Sequence, residues 1–320
     1  MDKKYELVKD DHIEYEETTL YRIRALKDFE NVKAGDLGGY IESENNLSHH
    51  GNCWVYNEAK VYDNAEVFDN AQIYNNAKVY EGAWISDNAQ IYEDAIVYGH
   101  AHISGKAKVY GKVSVYDNAR IYGKAKVFDN ATIFDSAGIC GNAMIYGEAT
   151  VMHYAEIFEN AQVFGEAHIS NDAYIYGNAK IYGEALIYEN SEIYGDAKIY
   201  GNAQIYGEAT VFGNAEVFGN AHVYENAEVF GNTIINSDYI IGKISMPYKN
   251  LFQYQCVNRM LTAILTEDNE ILYSIGCQTN ITEEEFLDKI YNDNGGLNKN
   301  PHRKEYLKLI KTINTYFKGE

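Results

Sequence analysis

The chain has 320 residues, a net charge of −20 and a pI near 4.8. A surface this acidic repels phosphate backbones, which argues against nucleic acid as a partner. There is no apolar run long enough to span a bilayer, no signal-peptide core in Met1-Asp2-Lys3-Lys4-Tyr5, and no CxxC among the four Cys, so a cytoplasmic, reduced, non-membrane protein is expected.

Residues 1–40 read as strands and turns that lead into a repeat and cover its open edge, as solenoid ends require. Ile41 and Leu47 stand six apart, and His49-His50 add a two-residue slip before Val55 restores the register. From Cys53 to Ile235 one six-residue phrase recurs without insertion or deletion: Ala-x-Val/Ile-Tyr/Phe-turn-turn, as in Ala59-Lys60-Val61-Tyr62-Asp63-Asn64. Self-similarity at so short a period marks a solenoid.

Each hexad is a short strand and a corner. Strand side chains alternate faces, and the x column (Lys60, Glu66, Gln72, Lys78, Lys126) is polar. Ala and Val/Ile therefore face inward and Tyr/Phe outward. Gly, Asn and Asp at the last two positions make tight corners. Three short walls leave a bore that Val and Ile fill, so an all-β solenoid of about ten three-hexad coils is expected over residues 41–242.

The repeat degrades at Thr233 and Asn236, and Ile241 is its last in-register aliphatic residue. Residues 243–250, with Pro247, read as a linker that opens a C-terminal α+β domain spanning 243–320. In it, Met260–Leu265 and Ile271–Ile275 read as a hairpin. Thr282 and Glu285 form a capping box, and Asn300-Pro301 opens a last helix with Tyr306, Leu309, Ile310, Ile313 and Phe317 on one stripe. This domain balances ten Lys/Arg against ten Asp/Glu, so the entire negative charge lies before it.

The hexad, with its aliphatic residue and a small residue four positions on (Val61 with Ala65, Ile73 with Ala77, Ile187 with Ser191), resembles that of the left-handed parallel β-helix family. The resemblance implies the handedness. The leader narrows it: Leu20-Tyr21-Arg22-Ile23-Arg24-Ala25-Leu26-Lys27-Asp28-Phe29, Gly35-Asp36-Leu37-Gly38-Gly39-Tyr40-Ile41 and Cys53-Trp54-Val55-Tyr56 are similar to the start of YdcK-like hexapeptide-repeat proteins of bacterial and prophage genomes. Members are often labelled transferases on the strength of the fold. Acyltransferases of this fold use a histidine near a cleft between the rods of a trimer, with loops inserted between coils.

No such loop interrupts this repeat. His153, in the irregular corner Val151-Met152-His153-Tyr154, is the one catalytic candidate; the other histidines, such as His100, His102, His168 and His222, read as polar substitutions. His49-His50 and His100-x-His102 lack further ligands at a recognisable spacing, so no metal is expected. Sorted in threes, the hexads make one wall wholly aromatic: Tyr56, Tyr74, Tyr92, Tyr110, Phe128, Tyr146, Phe164, Tyr182, Tyr200 and Phe218. A second wall breaks this column at Ser86, Ser104 and Cys140, and the third at Met152 and Ser170. Stacked aromatics favour strands, but an unbroken apolar stripe is also an association surface. The reading is a non-enzymatic β-helical scaffold of bacterial or prophage origin that binds a protein partner, or its own copies (a trimer included), through the aromatic wall and the C-terminal unit. The alternatives are an acetyl-CoA-dependent acyltransferase and a glycan-binding or phage-structural fibre; outside the acyltransferase reading no cofactor is expected.

Overall fold

The computed structural model describes residues 3–231, 233–236, 240–242, 245–246, 251–256, 259–266, 270–275, 278–291 and 303–318. The fold is a parallel β-solenoid with a small C-terminal unit of antiparallel strands and helices. The chain divides into two compact units, Met1–Asn190 and Ser191–Glu320.

The first unit opens with β1 (Tyr5–Tyr15) and β2 (Thr18–Ala25), an antiparallel pair that continues onto β3 (Leu37–Ile41). β3 then runs parallel to Lys60–Val61, so the hairpin occupies what would otherwise be an unpaired edge. Ile41 pairs with Val61 and Leu47 with Val67, each 20 residues on, whereas Val55 pairs with Ile73, 18 residues on. The difference is the two-residue slip at His49-His50. Two buried side chains strap the leader down: Lys4 Nζ donates to the Cys53 carbonyl at 2.8 Å and lies 3.2 Å from its Sγ, and the Tyr5 hydroxyl donates to the Leu47 carbonyl at 2.7 Å. Burial pushes the Lys4 ammonium below, and the Cys53 thiol above, its ordinary range.

Within the repeat each strand pairs with the strand 18 residues later, for example Lys108 with Lys126 and Val109 with Val127. Three hexads therefore close one coil. Trp54–Val55, Gln72–Ile73 and Gln90–Ile91 begin the first wall. Glu66–Val67, Trp84–Ile85 and His102–Ile103 begin the second, and Lys60–Val61, Lys78–Val79 and Ile96–Val97 the third. The inward residues Val61, Ala65, Val127 and Ile145 are fully buried, as the parity of the hexad requires. Each buried Val or Ile contributes about 1.5–3 kcal/mol. Tyr62 is also buried, but from outside: Tyr15 packs edge-on against it at 5.6 Å, beside Leu20 and Tyr40.

The corners are left-handed, with Asp63 at φ 54°, Asp135 at φ 55° and His153 at φ 58°. Side chains in that conformation cost energy, and a hydrogen bond to the next coil offsets the cost. Glu81 accepts from the Gly99 N–H at 3.0 Å, Asp87 from Gly105 at 3.0 Å, and Asp135 from His153 at 3.2 Å, each 18 residues ahead.

In the second unit the same pairing joins Glu192 to Thr210, Thr210 to Glu228 and Glu216 to Ile234. Ser245–Met246, inside the expected linker, pairs with Glu228–Val229 at a spacing of 17; this single lost residue is where the hexad register ends. Pro247 lies outside the described residues. The expected hairpin is present, with Leu265 opposite Ile271, but it is the centre of a four-stranded sheet flanked by Leu251–Cys256 and Gln278–Thr282. The reciprocal bonds of the capping box, Thr282 N–H to Glu285 at 2.9 Å and Glu285 N–H to Thr282 at 3.2 Å, open α1 (Glu283–Tyr291). α2 (Arg303–Lys318) buries Tyr306, Leu309, Ile310 and Ile313 with Phe286 and Tyr273 in one core. The expected Asn300-Pro301 start of α2 falls outside the described residues.

Candidate binding groove

The aromatic column of the first wall is built by register. Rings one coil apart stack nearly parallel: Tyr92 on Tyr110 at 4.6 Å, Tyr110 on Phe128 at 5.1 Å, Phe128 on Tyr146 at 4.8 Å, and Tyr146 on Phe164 at 4.8 Å. Tyr56 and Tyr74, Phe164 and Tyr182, and Tyr200 and Phe218 stack likewise. All ten residues are half-buried. Where a ring is stacked on both sides, as Tyr110, Phe128, Tyr146 and Phe164 are, neighbours occupy its faces and only its edges meet solvent. Burial pushes the hydroxyls of Tyr56 and Tyr92 up to about 12, which keeps them protonated.

His153 belongs to the corner ladder. Its N–H donates to Asp135, its Nδ1 accepts from the Asn171 N–H at 3.4 Å, and its Nε2 lies 3.7 Å from Asp135 Oδ2. The imidazole thus does what Asp and Glu do at equivalent corners, on an exposed edge.

The second wall differs. Where Ser104 replaces an aromatic residue, a groove of about 520 Å³ opens over His102, Arg120, Gly138 and Glu156, rimmed by Tyr122 and Tyr154. It shares His102, Asn118 and Arg120 with a smaller hollow of about 280 Å³ that reaches Trp84 and His100. Trp84 (49% exposed), Tyr122 (46%), Tyr154 (64%) and Tyr174 (42%) are the exposed large aromatics among the described residues, and all lie on this wall or its corner. Trp84 meets His102 edge-on at 6.2 Å, so the two rings do not stack face to face. The nearby Cys140 thiol and partial burial push Tyr122 up to about 12, which keeps its hydroxyl protonated.

Gly138 forms the floor. It is the single glycine in the x column of the repeat. A Cβ there would meet only Glu156 Cγ, at an ordinary 3.6 Å, so neither backbone nor packing requires glycine. A strand glycine costs roughly 0.5–1 kcal/mol relative to alanine; what it leaves behind is open space.

The sequence reading singled out the Ser86/Ser104/Cys140 break but not Trp84, Asn118, Arg120, Tyr122, Gly138 or Tyr154. The available signal was the x column of the second wall, where Trp84, His102, Arg120, Gly138 and Tyr174 depart from the Lys/Gln pattern of the first wall at Gln72, Gln90, Lys108, Lys126, Gln162, Lys180 and Lys198. Among the described residues no cluster of three or more His, Cys, Asp or Glu could hold a metal ion, and no helix is long and apolar enough to cross a membrane.

A family model described as the YdcK β-solenoid repeat matches residues 71–87 and 203–219. Two stretches of the solenoid thus resemble the YdcK repeat. The first matched segment contains Trp84 and ends one residue past Ser86, at the near end of the groove. One relative, named an uncharacterized acetyltransferase, YdcK, of Escherichia coli (strain K12), is 46% identical over 39 residues, covering 12% of this chain and 12% of that protein. The likeness to YdcK thus spans about an eighth of either chain.

Proposed function

We propose that this protein is a non-catalytic binding scaffold whose ligand seat is the groove of the second wall. One observation carries the reading: the most exposed rings lie where the hexad pattern is broken, whereas the first wall from Tyr92 to Tyr182 spends its ring faces on stacking. The C-terminal unit, which has its own core, is a second surface for a protein partner. Acid–base chemistry has less support. Histidine-assisted acyl transfer needs an imidazole held by an orienting partner beside a nucleophile, and among the described residues neither the His100 nor the His102 ring hydrogen-bonds a carboxylate.

The acetyltransferase reading rests on the name of the relative and on the two histidines in the groove. The test is acetyl-CoA turnover with amine and sugar-hydroxyl acceptors, for wild type, His102→Ala and His153→Ala, alongside a small-molecule thermal-shift screen of wild type and Gly138→Trp. The expected result is no turnover, with thermal-shift ligands that fail to stabilise Gly138→Trp. Turnover that disappears in either histidine variant would replace the scaffold reading with the acetyltransferase one.

A further inference from the structure

The acidity of the chain is not uniform. Between Gly99 and Phe128 it carries Lys106, Lys108, Lys112, Arg120, Lys124 and Lys126 against a single carboxylate, Asp117. Lys106 and Lys124 occupy the same corner in successive coils, next to the groove, and Arg120 stands on its floor between His102 and Gly138 in the strand ladder. Among the described residues none of these six cations has a carboxylate within ion-pair distance. Like charges in neighbouring strands are destabilising, and Lys108 and Lys126 are directly paired. The same corner carries Asp69 and Asp87 in earlier coils and Glu159 in a later one, but Gly105, Gly123 and Gly141 beside the lysines. Of these six, Arg120 alone lines the groove, with Lys124 following it in the chain at the next corner as Lys106 follows His102.

The opposite rim is anionic but occupied. Asp117 accepts from the Asp135 N–H at 3.4 Å, and Asp135 from His153. Glu156, Asn118, Ser104, Ser136 and the Tyr122 hydroxyl supply acceptors and donors along the floor and walls. Exposed aromatic rings, one fixed cation and a ring of hydroxyl-matching groups form a constellation for a sugar chain with one acidic group: the rings take its apolar faces, the amide, hydroxyls and carboxylate take its hydroxyls, and Arg120 takes the anion bidentately. A single-stranded nucleic acid also seeks rings and cations, but its successive phosphates would meet the Asp117/Asp135 ladder and Glu156 within one or two coils.

Building on the binding reading above, we infer that the groove takes an oligosaccharide bearing a carboxylate or phosphate, with the anion at Arg120 and sugar rings against Trp84, Tyr122 and Tyr154. Gly138 is the space into which the chain of sugars sinks.

The full-length protein provides its own reporter. Of its two tryptophans Trp54 is buried and Trp84 is exposed, so a ligand in the groove alters the Trp84 emission. Titrations would use hexagalacturonate (carboxylate), a phosphorylated mannan fragment (phosphate), maltohexaose and chitohexaose (neutral), and the oligonucleotide dT10. The expected outcome is saturable binding of at least one acidic saccharide, weakened at least tenfold by Arg120→Ala and abolished by Gly138→Trp. The 3.6 Å clearance at Gly138 and the exposure of Arg120 allow both variants to fold, as circular dichroism and thermal melts would show. Neutral saccharides binding as well as acidic ones, with Arg120→Ala within twofold of wild type, would overturn the anionic assignment yet leave the groove in place. Preference for dT10 would overturn the saccharide class. No saccharide binding at all would overturn the inference; the binding reading itself falls only if ligands from the thermal-shift screen are also indifferent to Gly138→Trp.

Discussion

Replacing Phe128 by serine separates a structural column from a ligand surface. Phe128 stacks on Tyr110 at 5.1 Å and on Tyr146 at 4.8 Å, with planes within 5°. Each aromatic pair contributes about 0.5–1.5 kcal/mol beyond its buried area, so the two stacks together are worth about 1–3 kcal/mol. Losing the half-buried ring adds about 1 kcal/mol, for a local cost of about 2–4 kcal/mol. Repeat arrays need not unfold in one step, so the quantity to measure is local: hydrogen exchange of the Phe128 N–H, bonded to the Ile145 carbonyl, and of the Tyr110 N–H, bonded to Val127, both at 3.0 Å. At about 1.4 kcal/mol per tenfold, exchange should accelerate at least tenfold and remain near wild type in distant coils. Ser104→Tyr, which rebuilds a ring next to Tyr122 on the second wall, should slow or leave unchanged the exchange of its own coil. Phe128→Ser exchange within twofold of wild type would refute the argument that first-wall rings are consumed by stacking.

Other expectations follow from the faces and corners. Val127→Asp places an unpaired carboxylate in a bore lined by Val109 and Ile145, a loss of several kcal/mol, whereas Lys126→Asp changes an exposed side chain; thermal melts should show the first unfolding or aggregating and the second within a few degrees of wild type. His153→Asn retains both a left-handed φ and an acceptor for the Asn171 N–H, while His153→Val retains neither and should cost about 1–3 kcal/mol by urea melts. Tyr56, Tyr80 and Tyr92 are raised by burial to about 12 against about 10 in an unfolded chain. Their contribution is therefore complete below pH 10 and lost as pH rises from 10 to 12, because the unfolded chain releases its protons first; melts between pH 9 and 12, with an absorbance titration of the tyrosines, would show it.

The solenoid was legible because one constraint repeats. Parity at Lys60, Val61 and Tyr62 assigns the faces, and the small residue at Ala65 closes the corner, so each hexad reports the same answer independently. The two-residue slip at His49-His50 was readable for the same reason. The strands Leu251–Cys256 and Gln278–Thr282 were not: Gln278–Thr282 is nearly all polar, and its pairing with Leu272–Ile275 is a contact between segments that no local pattern announces. The groove was half legible. Ser86, Ser104 and Cys140 registered as breaks in an aromatic column, but a break reads as a lost feature in sequence and becomes space only when Gly138 and Arg120 are placed beside it by the 18-residue register.

The corner ladder, in which each side chain bonds the backbone one coil ahead, makes the coil the unit of growth. An 18-residue duplication or excision would return every Asp, Gly and Val to an equivalent neighbour, while a change of any length that is not a multiple of six would rotate the inward residues off the bore from that point on. The uninterrupted hexads between Cys53 and Ile235 keep to the multiple of six, and a change of a whole turn would also keep each wall's own column in line. Length in this protein is free to drift by coils, whereas chemistry enters by exchanging outward residues, which is where the second wall acquired its glycine and its arginine.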